Sequence, residues 1–206
     1  MISLCLIVRD EEEKLEFFLN DVKDFVDEIV IIDTGSKDNT KKIAKKFGKV
    51  YDFRWNDDFS DARNFSVSKA TKDWILVLDP DEVIDEKDLI KIKDITKNNK
   101  KDIMGYRLIQ ETYYKNKIIS IRGICRLFKN DKRIRFVYPI HETVRESIKK
   151  IGKIGKTGII INHYPKTDKD KKDYYLKLLD KKKKNFPESS VDKEIKNEIR
   201  ERRSLC

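Results

Sequence analysis

The first eighty residues alternate apolar strands with amphipathic helices, and this alternation constrains the fold more than any other feature. The helix after the first strand places Leu15, Phe18, Leu19 and Val22 on one face. Continuous apolar strands separated by such helices are typical of a parallel sheet covered on both faces. The sequence therefore predicts an α/β fold with a Rossmann-like central sheet. Its predicted strands span residues 2–8, 29–32, 50–53 and 74–78.

The second half of the chain departs from this alternation. Residues 105–112 and 118–128 predict a hairpin, which would make the sheet partly mixed. Residues 133–137 and 157–162 are further candidate strands, and helices are expected over residues 168–186 and 191–203. We therefore expect an α/β/α domain over residues 1–165 and a basic C-terminal helical extension over residues 166–206.

The net charge is +10 among 206 residues, and a balance of this kind suggests nucleic acid or an anionic surface as partner. Most aromatic residues lie in apolar strand contexts rather than among basic residues, so we expect no nucleic-acid partner. Residues 166–184 contain nine Lys and four Asp, which places half of the net charge on the extension. A solvated helix face explains this excess, and peripheral docking of the helix to an anionic membrane is the sharper hypothesis.

The cysteines and the apolar runs bear on the compartment. Cys5, Cys125 and Cys206 form an odd, widely spaced set, which is neither a disulfide framework nor a zinc-ligand pattern. No apolar run approaches the ~18 residues that span a bilayer, and Met1 leads into a strand without a basic segment before it. We expect a cytoplasmic protein without a signal peptide, with the inner membrane face as its peripheral site if the extension docks there.

The sharpest local signal is the segment Asp-Pro-Asp-Glu at residues 79–82, which directly follows a predicted buried strand. Three carboxylates in four residues repel one another unless a positive charge neutralises them. A hard divalent cation, Mg²⁺ or Mn²⁺, suits such oxygen ligands and also binds substrate phosphates. The residues alone leave a metal site and a solvated turn with a helix cap both open.

Two further segments carry polar groups at the expected carboxyl ends of strands. Asp33 ends the second strand, where an acidic residue of such folds commonly binds a nucleotide, and Ser36 or Asp38 would cap the next helix. Arg63 and Asn64 lie near a helix start, where the pair could hold a phosphate or simply belong to a surface helix. The chain has neither the glycine-rich dinucleotide motif nor a P-loop.

In combination these segments resemble glycosyltransferase family 2 with the GT-A fold, and most closely its SunS-like peptide glycosyltransferases, often associated with tetratricopeptide repeats. The resemblance covers residues 1 to about 165. Two departures are Pro80, where this branch usually has Ala, and the lack of a repeat array after the catalytic region. The segments that carry the resemblance are residues 2–12, 33–40, 61–64 and 78–82.

The resemblance implies a metal-dependent, inverting transferase that uses a UDP-sugar donor, with a peptide, lipid or saccharide as acceptor. Asp33 would bind the uracil or ribose, and Arg63 would lie near the base or the diphosphate. Asp79 would lie near the ribose and Asp81 would bind Mn²⁺ or Mg²⁺, as the two acids of a DxD motif. The remaining residues implied to line the nucleotide pocket are Val8, Arg9 and Glu11.

The resemblance also implies the catalytic groups. Glu142, in the His-Glu segment of this branch, is the candidate general base, and His163 at a strand end would complete the metal site. His141 and Arg126 are candidate contacts for the acceptor or the diphosphate, and each of these residues could equally be structural. Two other functions remain open: a basic nucleic-acid-binding protein and a catalytically inactive GT-A binding module.

Overall fold

The computed structural model describes residues 1–165 and 174–186 in full and the backbone of residues 171–173. In these residues, eight strands form one sheet in the order β3-β2-β1-β4-β7-β6-β8-β5. The strands are β1 (Ile2–Val8), β2 (Glu28–Asp33), β3 (Lys49–Asp52), β4 (Trp74–Val77), β5 (Glu82–Val83), β6 (Ile103–Tyr114), β7 (Lys117–Lys129) and β8 (Lys153–His163). The helices are α1 (Glu12–Val22), α2 (Thr40–Ala44), α3 (Phe59–Lys69), α4 (Glu86–Lys97), α5 (Arg145–Lys149) and α6 (Lys171–Asn185), with one 3₁₀ turn at Lys23–Phe25.

The first four strands are parallel, and the later strands make the sheet mixed, as the sequence predicts. β1 pairs in parallel with β2 and β4, and β2 pairs in parallel with β3. β7 runs antiparallel to β4 and forms the predicted hairpin with β6, while β8 runs parallel to β6. β5 then pairs with the end of β8. This last pairing brings the segment after β4 beside the carboxyl end of β8.

Both faces of the sheet are buried at β1, which explains why six of its seven residues are apolar. Leu4 and Leu6 join the cluster that α1 covers, whereas Cys5 between them joins the cluster on the opposite face with Val67 of α3. Each fully buried aliphatic side chain of this kind stabilises the fold by ~1.5–3 kcal/mol. The four residues predicted for the inner face of α1, Leu15, Phe18, Leu19 and Val22, are all buried.

Two predictions for the second half of the chain, the strand at 133–137 and the basic helix, have different outcomes. The candidate strand at 133–137 is wrong, because this segment is irregular and only Val137 forms an isolated bridge, to Thr143. The predicted basic helix is present as α6, but residues 166–170 and the predicted helix at 191–203 lie outside the described residues. The inner side of α6 is not solvated, since Leu178, Leu179 and Lys182 are buried.

Candidate active site

The parallel strands bring the predicted nucleotide residues to one edge of the sheet. Val8 and Asp33 end β1 and β2 and pair with each other, and Asp79 follows β4 by two residues on the other side of β1. Carboxyl ends of parallel strands are where ligands bind in open α/β sheets. The polar residues that the sequence singled out in three separate segments therefore share one edge.

The turn after β2 fixes Asp33. One carboxylate oxygen, Oδ1, accepts hydrogen bonds from the backbone N–H groups of Gly35 and Ser36, both at 3.0 Å. Gly35 adopts φ 107°, a left-handed conformation that favours glycine and closes this turn. The second oxygen, Oδ2, is buried and has no hydrogen-bond partner in the described residues. A buried, unsatisfied acceptor of this kind calls for a donor from a ligand or water.

The loop after β1 is tied to the loop after β2. Asp10 has φ 53° and its carboxylate accepts from the Lys37 backbone N–H at 2.7 Å, while the Glu11 N–H donates to Thr40 Oγ1 at 2.7 Å. Arg9 between β1 and these contacts is about half exposed. The two loops form one polar rim beside Asp33, with the Arg9 guanidinium facing solvent.

Arg63 is the centre of the site. It lies in the first half of α3, is 3% exposed, and donates from Nη2 to both oxygens of Asp79 at 2.7 Å. Its Nε donates to Glu142 Oε1 at 3.1 Å, so one guanidinium joins the first acid of the proposed DxD motif to the candidate base. Its Nη1 is buried and has no partner in the described residues. The predicted nucleotide residue and the predicted catalytic residue are therefore in one ion-pair network.

Asn64, the neighbour of Arg63, has a structural role instead of the predicted ligand contact. Its amide group donates to the Phe136 carbonyl at 2.9 Å and accepts from the Phe136 N–H at 2.8 Å. Both functional groups are therefore used to dock the 136–142 segment on α3. Of the Arg63–Asn64 pair, only Arg63 is available to the site.

Arg126 and Glu82 extend this network. Arg126 Nη2 lies 3.3 Å from Asp79 Oδ2 and 3.5 Å from Glu82 Oε1. Glu82 is 1% exposed, accepts from the Asp79 backbone N–H at 3.0 Å, and also accepts from the Gln110 amide. Arg122 Nε then donates to Gln110 Oε1 at 2.6 Å. Sequence reasoning assigned no role to Glu82, Gln110 or Arg122; only Glu82 carried a signal, as the last acid of residues 79–82.

The charges of this network perturb its carboxyl groups in opposite directions. Burial raises the pKa of Asp79, but the charges of Arg63 and Arg126 outweigh burial and hold that pKa below its ordinary value. The pKa of Glu82 is raised, first because the group is buried and further because Asp79 is close, although Arg126 opposes both effects. The pKa of Arg63 stays above its ordinary value because Asp79 and Glu142 outweigh burial. The network thus favours the ionised form of Asp79 more than that of Glu82.

The predicted metal residues approach each other at the end of β8. His163 Nε2 lies 3.6 Å from Asp81 Oδ2, and its Nδ1 lies 3.2 Å from Thr112 Oγ1. A hydroxyl beside Nδ1 is a typical way to orient an imidazole whose Nε2 faces a ligand. No group of three His, Cys, Asp or Glu side chains in the described ranges could by itself enclose a metal ion. The pair fits an ion that takes its other ligands from substrate and water.

The segment that carries His141 and Glu142 has a strained backbone and packs against α6. Tyr138 and His141 adopt left-handed backbone conformations, with φ 81° and 53°. Such conformations in residues other than glycine store strain that the surrounding packing must hold. On the far side, α6 packs Leu178 and Leu179 against Tyr138 and Ile140, as part of a small apolar cluster. Helix α6 therefore packs against and supports the segment that contains the candidate base.

The thiols in the described residues are not suited to nucleophilic catalysis. Burial raises the pKa of Cys5 to about 12, and burial likewise raises the pKa of Cys125 to about 12. A nucleophilic cysteine needs a lowered pKa, because the reactive thiolate form is then populated near neutral pH. The ionisable groups gathered at this edge are carboxylates and arginines rather than thiols.

Comparison with known proteins identifies the family of the chain. Residues 3–152 match the model of the family described as glycosyl transferase family 2. The chain is 40% identical over 148 residues to a TPR repeat-containing protein of Synechococcus elongatus, covering 71% of this chain and 36% of that protein. It is 30% identical over 148 residues to the prophage-derived glycosyltransferase SunS of Bacillus subtilis, covering 68% of this chain and 34% of SunS.

Solved structures show the same fold. TarS 1–349 of S. aureus in complex with UDP-GlcNAc aligns with a TM-score of 0.64 at 15% identity, over 82% of this chain and 59% of that one. Glucosyl-3-phosphoglycerate synthase of Mycobacterium tuberculosis, with Mn²⁺, UDP and glucosyl-3-phosphoglycerate, aligns with a TM-score of 0.57 at 13% identity, over 81% of this chain and 73% of that one. The chain has the GT-A fold and belongs to glycosyl transferase family 2; it spans about a third of the length of the two curated relatives named above.

Proposed function

We propose that this protein is a glycosyltransferase that moves a sugar from a UDP-sugar to an acceptor hydroxyl or other nucleophile, with inversion at the sugar carbon. The observation that carries the proposal is the buried Arg63, which joins Asp79 to Glu142 at the carboxyl edge of the parallel strands. Structural arginines also bridge two acids, but Arg63 does so at the edge where ligands bind in open α/β sheets, which favours a role in the site. Family membership supports the same activity.

The donor half of the site is formed by the ends of β1, β2 and β4. Asp33 Oδ2, which is buried without a hydrogen-bond partner in the described residues, would accept a hydrogen bond from the nucleoside. Asp79 would lie near the ribose. Arg63 Nη1, which is also buried without a hydrogen-bond partner in these residues, would donate a hydrogen bond to the UDP-sugar. The UDP-GlcNAc and UDP complexes of the two structural neighbours support a uridine donor. Val8, Arg9 and Glu11 would complete the rim of this pocket.

Glu142 is the proposed general base. Arg63 engages Oε1 only, and the side chain is 12% exposed, so an acceptor can reach the other oxygen. The base would remove the proton of the acceptor group as this group attacks the anomeric carbon from the face opposite the leaving diphosphate. The proton ends on Glu142, the new glycosidic bond forms, and the bond to the diphosphate breaks. Arg126 and His141 are proposed contacts for the diphosphate or the acceptor.

A divalent cation fits the remaining donor groups. Asp81 and His163 would hold Mn²⁺ or Mg²⁺ together with donor oxygens, as the oxygen-rich ligand set favours. When bound, such an ion neutralises the charge that develops on the leaving diphosphate. The metal-containing complexes of the synthase support divalent metal use here.

Thermal melting with UDP and Mn²⁺ tests the proposal. We expect the melting temperature of the wild-type protein to rise with UDP and Mn²⁺ together, because ligands that bind only the folded state stabilise it. Asp81→Ala should lose the Mn²⁺-dependent part of the rise. Asp94→Ala, an exposed acid of α4, is the matched control and should retain it. A wild-type protein that shows no shift with UDP, with salt-sensitive binding to DNA or RNA, would instead support the nucleic-acid alternative.

Turnover separates an active enzyme from an inactive binding module. Release of UDP from a panel of UDP-sugars without acceptor would identify the donor sugar. A wild-type protein that binds UDP with Mn²⁺ but hydrolyses no donor, and transfers to no peptide, lipid or saccharide acceptor, would support the inactive module. A donor that is hydrolysed by the wild type and not by Glu142→Gln would support the transferase.

A further inference from the structure

The β6–β7 hairpin extends beyond the strands that flank it. β4 pairs with β7 only at Leu127–Lys129, and β8 pairs with β6 no further than Thr112. The two residues of the turn, Lys115 and Asn116, have φ 48° and 60°, as in the tight turns that close hairpins. We call residues 113–122 the hairpin tip. The tip lies next to the candidate site, since Thr112 Oγ1 contacts His163, and its Tyr113 ring stacks on Tyr164 while the turn extends beyond the neighbouring strands.

The hairpin tip exposes a cluster of isoleucines. Ile118 and Ile119 are each 47% exposed and Ile121 is 63% exposed. The strand register pairs Ile118 with Tyr113 and Ile121 with Glu111, so these two isoleucines share a face, and Ile119 occupies the register shift between them. Single exposed apolar residues are common, but three within four residues at a protruding tip mark an interaction surface.

The same region is strongly basic. Residues 113–122 contain three basic residues and no acidic residue, and Glu111, which pairs with Ile121, directly precedes Thr112. Lys115 in the turn and Lys117 directly after it are exposed, and so is Arg122 at the last position of the hairpin tip. Tyr113 and Tyr114 precede the turn and are partly buried. Apolar side chains flanked by lysines and tyrosines are the combination that favours the interface of a bilayer.

We propose that the hairpin tip docks this protein on an anionic lipid membrane. Lys115 and Lys117 would contact lipid phosphates, while Ile118 and Ile121 enter the boundary between headgroups and acyl chains. The contact stays interfacial, because β7 has no neighbouring strand beyond β6 from Ile118 to Ile124 in the described part of the chain, and its free backbone groups require water or headgroups. Within the described ranges, no helix is long and apolar enough to cross a bilayer.

Two other occupants fit less well. Pairing of β7 with a second copy would set basic strands of like charge beside each other, which is unfavourable. A peptide added to the β7 edge would use its backbone groups but would leave the lysines at the turn unexplained. The membrane uses both the charge and the exposed isoleucines. It would also hold the candidate site near the lipid surface, because Asn116 is four residues beyond Thr112, or ~13 Å along a strand.

Vesicle co-sedimentation of the full chain tests the proposal. We expect binding to phosphatidylcholine vesicles that contain phosphatidylglycerol, weak binding to pure phosphatidylcholine, and loss of binding at high salt. Lys115→Gln with Lys117→Gln should lower the partition coefficient about 30-fold, since each basic residue at the surface contributes roughly fivefold. Ile118→Ser with Ile121→Ser should lower it by about tenfold or more.

Matched controls separate the hairpin tip from the charge of the whole chain. Ile90→Ser, at an isoleucine of α4 with the same 47% exposure as Ile118, should bind vesicles as the wild type does. Lys100→Gln with Lys101→Gln, before the opposite end of β6, makes the same charge change away from the tip. All of the substituted side chains are exposed, and thermal melting checks that each variant folds.

Three results would overturn the proposal. Equal binding to neutral and anionic vesicles would refute the anionic partner. Equal losses in the tip variants and their controls would assign any binding to net charge alone. If the wild type does not bind vesicles and a tip variant changes the sedimentation coefficient, a second copy of this chain would be identified as the partner that covers the hairpin tip. None of these readouts depends on sugar transfer, so failure here leaves the proposed function untouched.

Discussion

Replacing Arg63 with alanine should destabilise the fold far more than the loss of an ordinary ion pair. The substitution removes two hydrogen bonds to Asp79 at 2.7 Å and one to Glu142 at 3.1 Å from a side chain that is 3% exposed. Removing one partner of a buried ion pair typically costs ~3–5 kcal/mol, because it leaves a charge buried without compensation. Asp79 is 25% exposed and retains Arg126 at 3.3 Å, so we expect about 3 kcal/mol.

Urea denaturation at neutral pH measures this loss, and the chain supplies a matched control. Arg133 pairs with Asp131 at 2.6 Å but is 66% exposed, so Arg133→Ala should cost no more than about 1 kcal/mol. Arg63→Lys should recover only part of the loss, since one ammonium cannot reproduce the planar fork that reaches two carboxylates. If Arg63→Ala and Arg133→Ala lose the same free energy of unfolding, the central position of Arg63 is refuted.

The pH dependence gives a second reading of the same network. Arg63 and Arg126 hold the pKa of Asp79 below its ordinary value despite burial, so its contribution is present above the unfolded-state pKa and is lost as pH falls through the folded-state pKa. Arg63→Ala removes part of this depression. The variant should therefore lose less stability than the wild type on acidification below about pH 4. A parallel loss in both proteins would contradict the assignment of Asp79 as the ionised acid.

Four further predictions concern separate residues. Glu142→Gln should lower kcat by ~10²–10⁴-fold with little change in the Kd for UDP, measured by product formation and calorimetry, because only the proton acceptor is lost. Asp33→Asn should weaken UDP binding by about tenfold while the melting temperature without ligand changes little, since it keeps an oxygen for the Gly35 and Ser36 N–H groups but replaces the acceptor Oδ2 with an amide nitrogen. Cys5 and Cys125 should react with iodoacetamide roughly a thousandfold more slowly in the folded than in the urea-unfolded protein, because a pKa of about 12 leaves little thiolate; mass spectrometry of the peptides measures this. Glu28→Gln should cost ~2–3 kcal/mol at neutral pH and almost nothing near pH 2, since hydrogen bonds outweigh burial and lower the Glu28 pKa to about 2, and urea unfolding at both pH values checks it.

The part of the fold that local pattern determines was predictable. β4 is a continuous apolar run, β1 is apolar except at Ser3 and β2 is apolar between its end residues; α1 has its four apolar residues at helical spacing, so the pattern alone places these elements. The carboxyl ends of these strands then follow from parallel pairing, which is why Asp33 and Asp79 could be assigned to one edge. The edge that holds the site is thus encoded in the order of the elements.

The contacts that depend on tertiary structure were not predictable. Glu142 is 79 residues from Arg63 in sequence, and the segment at 133–137 that leads to it is irregular, so no periodicity indicates their contact. Gln110 lies in a strand where a buried polar residue breaks the pattern, but its partner Glu82 is 28 residues away. The packing of Leu178 and Leu179 of α6 against Tyr138 and Ile140 was not predicted, because lysines dominate the sequence around them. Pairing of distant segments, and not propensity, decides each of these contacts.

The acidic segment after β4 shows why composition alone misassigns charge compensation. Its repulsion suggested one cation for all three carboxylates, yet Arg63 and Arg126 neutralise Asp79 and Glu82 from α3 and β7. Asp81 is the remaining acid, and His163 Nε2 lies 3.6 Å from its Oδ2. Arginines supply permanent charge to the inner part of the segment, whereas Asp81 at its outer part is the acid that we propose binds an ion arriving with the substrate. A metal requirement of this protein should therefore appear in donor binding and turnover, while its stability without ligand should not change when a chelator is added.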